Sequence, residues 1–170
     1  MDMLDLLGRC IGLERNAAEF YEILARRFAG DAELARLWST MAGEEREHAR
    51  KLATWRELIV AEPLEHRPRA SGFEPDVVEL ERMLEESRAA AATADEEGAF
   101  ALALALEGSE INTIYTTLLE ASPIARFPDF QETMKRETAE HHGALLEAAR
   151  RRCTSDRARL RMGLLAVRED

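Results

Sequence analysis

Cysteine is nearly absent from this chain. Cys10 and Cys153 are the only two among 170 residues, and no Cys-x-x-Cys pair occurs. A zinc ribbon or a four-cysteine iron site therefore cannot be built. Both thiols read as free, and Cys10, within a helical pattern, reads as a small buried hydrophobe. Helix breakers and aromatics are also scarce, with five prolines, nine glycines and 6% aromatic residues, which together with abundant Ala, Leu, Glu and Arg favours helix over sheet. No apolar run approaches the ~18 residues of a membrane span. The opening residues Met-Asp-Met-Leu-Asp-Leu-Leu are acidic where a signal peptide is basic. A cytoplasmic location without membrane contact is expected. Basic surplus is missing as well: a formal charge of −10 argues against a nonspecific nucleic-acid binder, which needs cations to displace counterions from phosphate.

What is present is a set of helical stripes interrupted by acids and histidines. From Asp2 to about Ala29, Leu4, Leu7, Ile11, Ala18, Tyr21 and Ala25 recur at steps of three and four, and Glu14 lies on their face. Gly30 is expected to supply a left-handed stop and Asp31 to cap the next helix, which makes the first two helices an antiparallel hairpin. The second helix, to about Ala61, carries Leu34, Leu37, Met41, Leu52, Trp55 and Ile59 on one stripe, together with Glu45 and His48. Glu44, Arg46 and Glu47 fall beside that stripe and read as solvated charges. Glu45-x-x-His48 places a carboxylate and an imidazole on one helical face, and burying such groups without partners is costly.

Pro63 and the polar segment 65–72 break the pattern. Asp76 with Glu79 reads as a capping box for a short helix over about 77–91. A third long helix is expected from 93–97 to about Ser122, with Glu107 and Glu110 on its stripe, and a fourth from about Asp129 to Arg151, with Met134, His141 and Leu145. Leu160, Leu164, Leu165 and Val167 mark a short amphipathic helix at the end.

The two halves repeat each other. Glu14 to His48 and Glu107 to His141 both span 34 residues (48 − 14 and 141 − 107), Met41 and Met134 each precede the histidine by seven, and Leu52 and Leu145 each follow it by four. Four core stripes thus carry Glu14, Glu45 with His48, Glu107 with Glu110, and His141, and no Lys or Arg lies on those stripes to neutralise the acids. Four-helix bundles build carboxylate-bridged two-metal sites from such a set, one Glu from each of two helices and a Glu-x-x-His from each of the others. Carboxylates charge-balance the ions, while imidazole suits iron. The architecture read here is an all-α antiparallel four-helix bundle over residues 1–152, with helix pairs at about 2–61 and 94–151, a crossover at 62–93 and a helical tail at 153–170.

The run Gly43-Glu44-Glu45-Arg46-Glu47-His48-Ala49-Arg50-Lys51-Leu52, and Leu106-Glu107-Gly108-Ser109-Glu110 with Tyr115 following, resemble the rubrerythrin family of the ferritin-like superfamily over about residues 14–150. The resemblance implies a ferritin-like fold, two non-haem iron ions with manganese or zinc able to substitute, and reduction of hydrogen peroxide or oxidation of ferrous iron. Its implied ligands are Glu14, Glu45, His48, Glu107, Glu110 and His141, and it implies a homodimer. Two departures stand out. Thr138 occupies the position three before His141 where a carboxylate belongs; neighbouring Glu137, about 100° away around the helix, reaches the metals only if the helix carries a π-bulge. The cysteines of a rubredoxin module are missing, so a separate electron donor such as a rubredoxin-like protein is expected. Tyr21 and Tyr115 follow Glu14 and Glu107 by seven and eight residues and are expected to bond the ligand carboxylates. No catalytic group beyond the ligands is indicated.

Overall fold

The computed structural model describes residues 2–61, 63, 74–110, 128–156 and 159, apart from the side chains of 74–76, 110, 128–131, 134, 135 and 138. Those residues are all-helical, in the order α1 (Met3–Arg27), α2 (Ala32–Ala61), α3 (Glu74–Ala91), α4 (Glu96–Glu110) and α5 (Pro128–Arg152). None of these helices is long and apolar enough to cross a membrane.

Local chemistry explains the boundaries. Asp2 caps α1, its carboxylate accepting from the Asp5 N–H at 2.8 Å. Asp31 does the same for α2, accepting from the N–H groups of Glu33 and Leu34 at 3.0 and 3.1 Å. Between these helices the expected glycine stop does not form. The chain leaves α1 through Phe28 at φ −102°, ψ 24°, with the Phe28 N–H on the Leu24 carbonyl, and Gly30 has no left-handed φ. A tightened last turn already places the terminal N–H groups, so no positive φ is needed. Helix α3 begins at Glu74, three residues before the expected start, which puts Asp76 inside the helix rather than at its cap. Asp95 caps α4 through the Gly98 N–H at 2.8 Å. Pro128 opens α5, where its missing N–H costs no helical bond. The expected continuation of the third helix past Glu110, and the terminal amphipathic helix, lie outside the described residues.

Helices α1 and α2 pack as the hairpin, α3 lies against α1 and α4, and α4 lies against α5. Their shared core contains Phe20, Tyr21, Trp38 and Phe100, all fully buried. Tyr21 stacks on Trp38 with centroids 6.0 Å apart, and Trp38 meets Phe100 at 5.0 Å, so aromatics tie α1, α2 and α4 together. Cys10 and Cys153 are both buried and form no disulfide. Among the described residues, the buried acids and histidines gather beside Tyr21.

Candidate metal centre

Helices α1, α2, α4 and α5 each deliver one or two polar side chains into the bundle interior. Glu14 from α1, Glu45 and His48 from α2, Glu107 from α4 and His141 from α5 are all buried, at 1%, 1%, 6%, 2% and 4% exposure. The i, i+3 spacing of Glu45 and His48 brings His48 Nδ1 to 3.1 Å from Glu45 Oε2, with Glu14 Oε2 at 3.8 Å. On the other side, His141 Nε2 lies 3.0 Å from Glu107 Oε1 and 3.1 Å from Glu45 Oε1. The two imidazole centroids are 5.9 Å apart. Two three-residue groups result, Glu14–Glu45–His48 and Glu45–Glu107–His141, and in each the donor atoms lie within 4.8 Å of one another. Glu45 belongs to both.

Electrostatics follow from three acids in a dry interior. Burial, reinforced by the charge of Glu45 and opposed by His48, raises Glu14 to about 8. Burial acts the same way on Glu45, but the close approach of His141 and the hydrogen-bonded His48 outweigh it and hold that carboxyl well below its ordinary range. His48 is penalised by burial yet raised to about 10 by Glu14 and Glu45, and His141 is raised still further by Glu107, Glu44 and Glu45. Without metal, the imidazoles therefore hold protons that balance the acids.

This donor set fits a pair of metal ions. Among the described residues, Glu14, Glu45 and Glu107 have no Lys or Arg partner. Among the described residues, Glu14 Oε2 and Glu45 Oε1 are buried without a hydrogen bond, since the 3.1 Å approach of His141 to Glu45 Oε1 is not aligned as one. Native interiors rarely leave such oxygens unpaired, and a cation satisfies both.

Tyr21 donates its hydroxyl to Glu107 Oε1 at 2.5 Å, the carboxylate bond expected of it, although with Glu107 rather than with Glu14 of its own helix. Glu137 is in neither group; its carboxylate pairs with Lys51, at the edge of an open cleft of about 450 Å³ between α2 and α5. Glu44, Glu47 and Glu140 line that cleft, and His48 and His141 are reached through it. The side chains of Glu110 and Thr138, and all of Tyr115, lie outside the described residues.

One residue read as solvated surface has a specific partner. Glu44 Oε2 lies 2.6 Å from His141 Nδ1, on the side of the ring away from the acid cluster. Its position beside Glu45 was the available signal. The partner 97 residues away was not visible along one helix.

The family model described as Rubrerythrin matches residues 5–107, more than half of the chain. The chain belongs to the rubrerythrin family. Rubrerythrins usually bind iron, and the ferritin-like bundle with its carboxylate and histidine groups fits a di-iron protein. The match contains four of the five buried polar residues of the centre, all but His141. No curated protein and no solved structure matches the chain.

Proposed function

We propose that this rubrerythrin-family chain is a non-haem di-iron oxidoreductase that reduces hydrogen peroxide or oxidises ferrous iron in the bundle core. The observation that carries the reading is the sharing of Glu45 between two otherwise separate groups, Glu14 with His48 and Glu107 with His141. Glu45 would bridge two ions, Glu14 and Glu107 would be terminal carboxylates, and each histidine would hold one ion. Bound iron would supply the redox chemistry, delivering two electrons to peroxide or one from each ferrous ion to an oxidant.

The remaining roles belong to the chain itself. Tyr21 restrains Glu107 through its hydroxyl, and Glu14, raised to about 8, can hold a proton near neutral pH. The cleft admits small solutes to the histidines, while the aromatic side of the site is closed to water. Its acidic rim favours cations. Two electrons per peroxide must come from outside the chain, so a separate reductant such as a rubredoxin-like protein is part of the proposal. A homodimer is a further part, supported by the family resemblance and the apolar residues of the C-terminal segment. Two buried cysteines that form no disulfide fit a reducing, cytoplasmic setting.

A second reading, an iron-binding or iron/oxidant-sensing protein without turnover, is favoured by one observation. Thr138 stands where a fourth carboxylate belongs, and Glu137 is paired with Lys51 instead. Anaerobic reconstitution with ferrous iron, metal counting and a peroxide pulse separate the two. Two irons per chain that oxidise rapidly and repeatedly with reductant support the enzyme. Bound iron that stays ferrous, or oxidises once without turnover, supports the sensor. A chain that retains no iron overturns both.

A further inference from the structure

We infer that the groove between the start of α2 and the end of α5 is the docking face for a small, acidic one-electron carrier protein, with Trp38 and Tyr21 leading from that face to the centre. The inference rests on the redox reading above, which requires an outside reductant without saying where it binds.

The two openings between α2 and α5 carry opposite charge. Toward one end lies the cleft of about 450 Å³ already described, where Glu44, Glu47, Glu137 and Glu140 outnumber the single cation Lys51. Toward the other lies a groove of about 210 Å³ with a floor of Leu34, Leu37 and Ala148, where Arg36, Arg151 and Arg152 outnumber the single acid Glu33. Arg152 is already held by Asp31, Glu33 and Glu96, and Arg151 reaches Glu33 only at 3.6 Å, whereas Arg36 has no ion pair among the described residues. Arg36 and Arg151 are both exposed. Although the chain has a formal charge of −10, this groove therefore attracts an acidic partner, while the acidic cleft repels one.

Among acidic partners, the aromatic column behind the groove selects an electron carrier. Trp38 follows Leu37 and shares the helical face of Leu34, one turn away. Its fully buried indole stacks on Tyr21 at 6.0 Å and 13°. Tyr21 in turn meets His141 edge-on at 6.2 Å and donates to Glu107 at 2.5 Å. Two rings thus span the interval between groove and ligands, which along α5 is the seven residues from Ala148 to His141, about 10 Å. Electron tunnelling weakens steeply with distance, so a carrier seated here is close enough to serve the centre and leaves the acidic cleft open to solutes. Redox encounters use small interfaces, below about 1,200 Å², so a short groove with a charged rim suffices. In each encounter the carrier loses one electron and one ferric ion gains it; no bond forms or breaks, and neither ring is oxidised. Two encounters match the two electrons taken by one peroxide.

An acidic rubredoxin in its zinc form serves as the binding probe, titrated into the metal-free full-length protein at several salt concentrations and followed by calorimetry and amide NMR spectra. Wild type should bind it with an affinity that falls as salt rises, and the shifted amides should lie around Arg36 and Arg151. Arg36→Glu combined with Arg151→Glu should weaken binding by about tenfold or more. The same charge change at Arg82 and Arg136, which lie outside the groove, should leave binding within a few-fold of wild type. In iron-loaded protein, reduction by the ferrous form of the probe should slow in the groove variant, whereas reduction by dithionite should not. Equal losses in both variants would show general charge attraction and overturn the inference. Unchanged binding in the groove variant, shifts gathered at the acidic cleft, or no binding by wild type would overturn it too. A dimer that becomes monomeric in the groove variant would give the face to a second copy of the chain, with the same result. Wild type that binds the probe yet retains no iron would end the redox reading and the carrier role with it, an outcome separate from loss of probe binding.

Discussion

Glu45 and His48 occupy positions that Leu or Met fill elsewhere on the same stripe, and the energetic consequence is set by their neighbours. Tyr21 shows how narrow the margin is, because among the described residues its hydroxyl and His141 are the side-chain hydrogen-bond partners of Glu107. Tyr21→Phe should therefore destabilise the metal-free protein by about 1.5–3 kcal/mol, the usual worth of a hydrogen bond to a charged group, as read by urea denaturation. An unchanged midpoint would mean that Glu107 is held by His141 alone. Proton linkage gives a second expectation. Glu14 and His48 have folded-state values of about 8 and about 10, above their ordinary 4.5 and 6.5, so the folded chain binds more protons than the unfolded one in these windows. Stability of the metal-free protein should then fall as pH rises, through Glu14 between about 4.5 and 8 and through His48 between about 6.5 and 10. Metal binding must displace those protons, so affinity should rise over the same range, with proton release measurable in weakly buffered titrations. If stability and affinity change in the same direction, the protons are not on the ligands.

Helix α3 is held by charge as well as by packing. Arg9 of α1 forms a two-point pair with Glu81, at 2.8 and 2.5 Å, and Arg88 pairs with Glu19. Val77, Leu80 and Leu84 form the buried face beneath them. Since the pairs are partly exposed, their role should be local. Arg9→Ala is expected to speed hydrogen exchange in α3 while leaving α1 and α2 protected, as measured by mass spectrometry, whereas uniform acceleration would mean that α3 and the hairpin unfold together. Arg152 does comparable work at the other end, reaching Asp31 at 2.5 Å and Glu96 at 2.6 Å. It joins the α1–α2 turn, the start of α4 and the end of α5. Such clamps fix the helix registers on which the centre depends, although they lie outside it.

Across the whole molecule, binding at the centre and stability of the fold are one equilibrium, because the ligand groups come from four helices, α1, α2, α4 and α5. A ligand that binds only the folded form adds about 2.7 kcal/mol at a hundredfold excess over Kd. Chelation should accordingly lower the melting temperature of metal-loaded protein by several degrees. His141→Ala should melt alike with and without added metal at the second position, and His142→Ala should respond as wild type does. The opposite pattern would place the ligand at His142, whose Nδ1 is buried without a hydrogen bond.

Helical periodicity is a property of residues three and four apart, so it can be read from residue order alone. That is why the all-α architecture, the cap at Asp31, and the inward faces of Glu14, Glu45, His48, Glu107 and His141 were all legible, and why the repeat of 34 residues paired the two histidines. Choices between partners on different helices are another matter. Whether Glu44 faces water or His141, whether Glu137 turns toward the metals or toward Lys51, and whether Tyr21 serves Glu14 or Glu107 depend on the rotation and approach of helices far apart in sequence. Even the turn at Gly30 followed this division, since the path of α2 back along α1 was met without a left-handed residue. Spacing along a helix selects which side chains enter the interior, and packing between helices selects which atoms meet there.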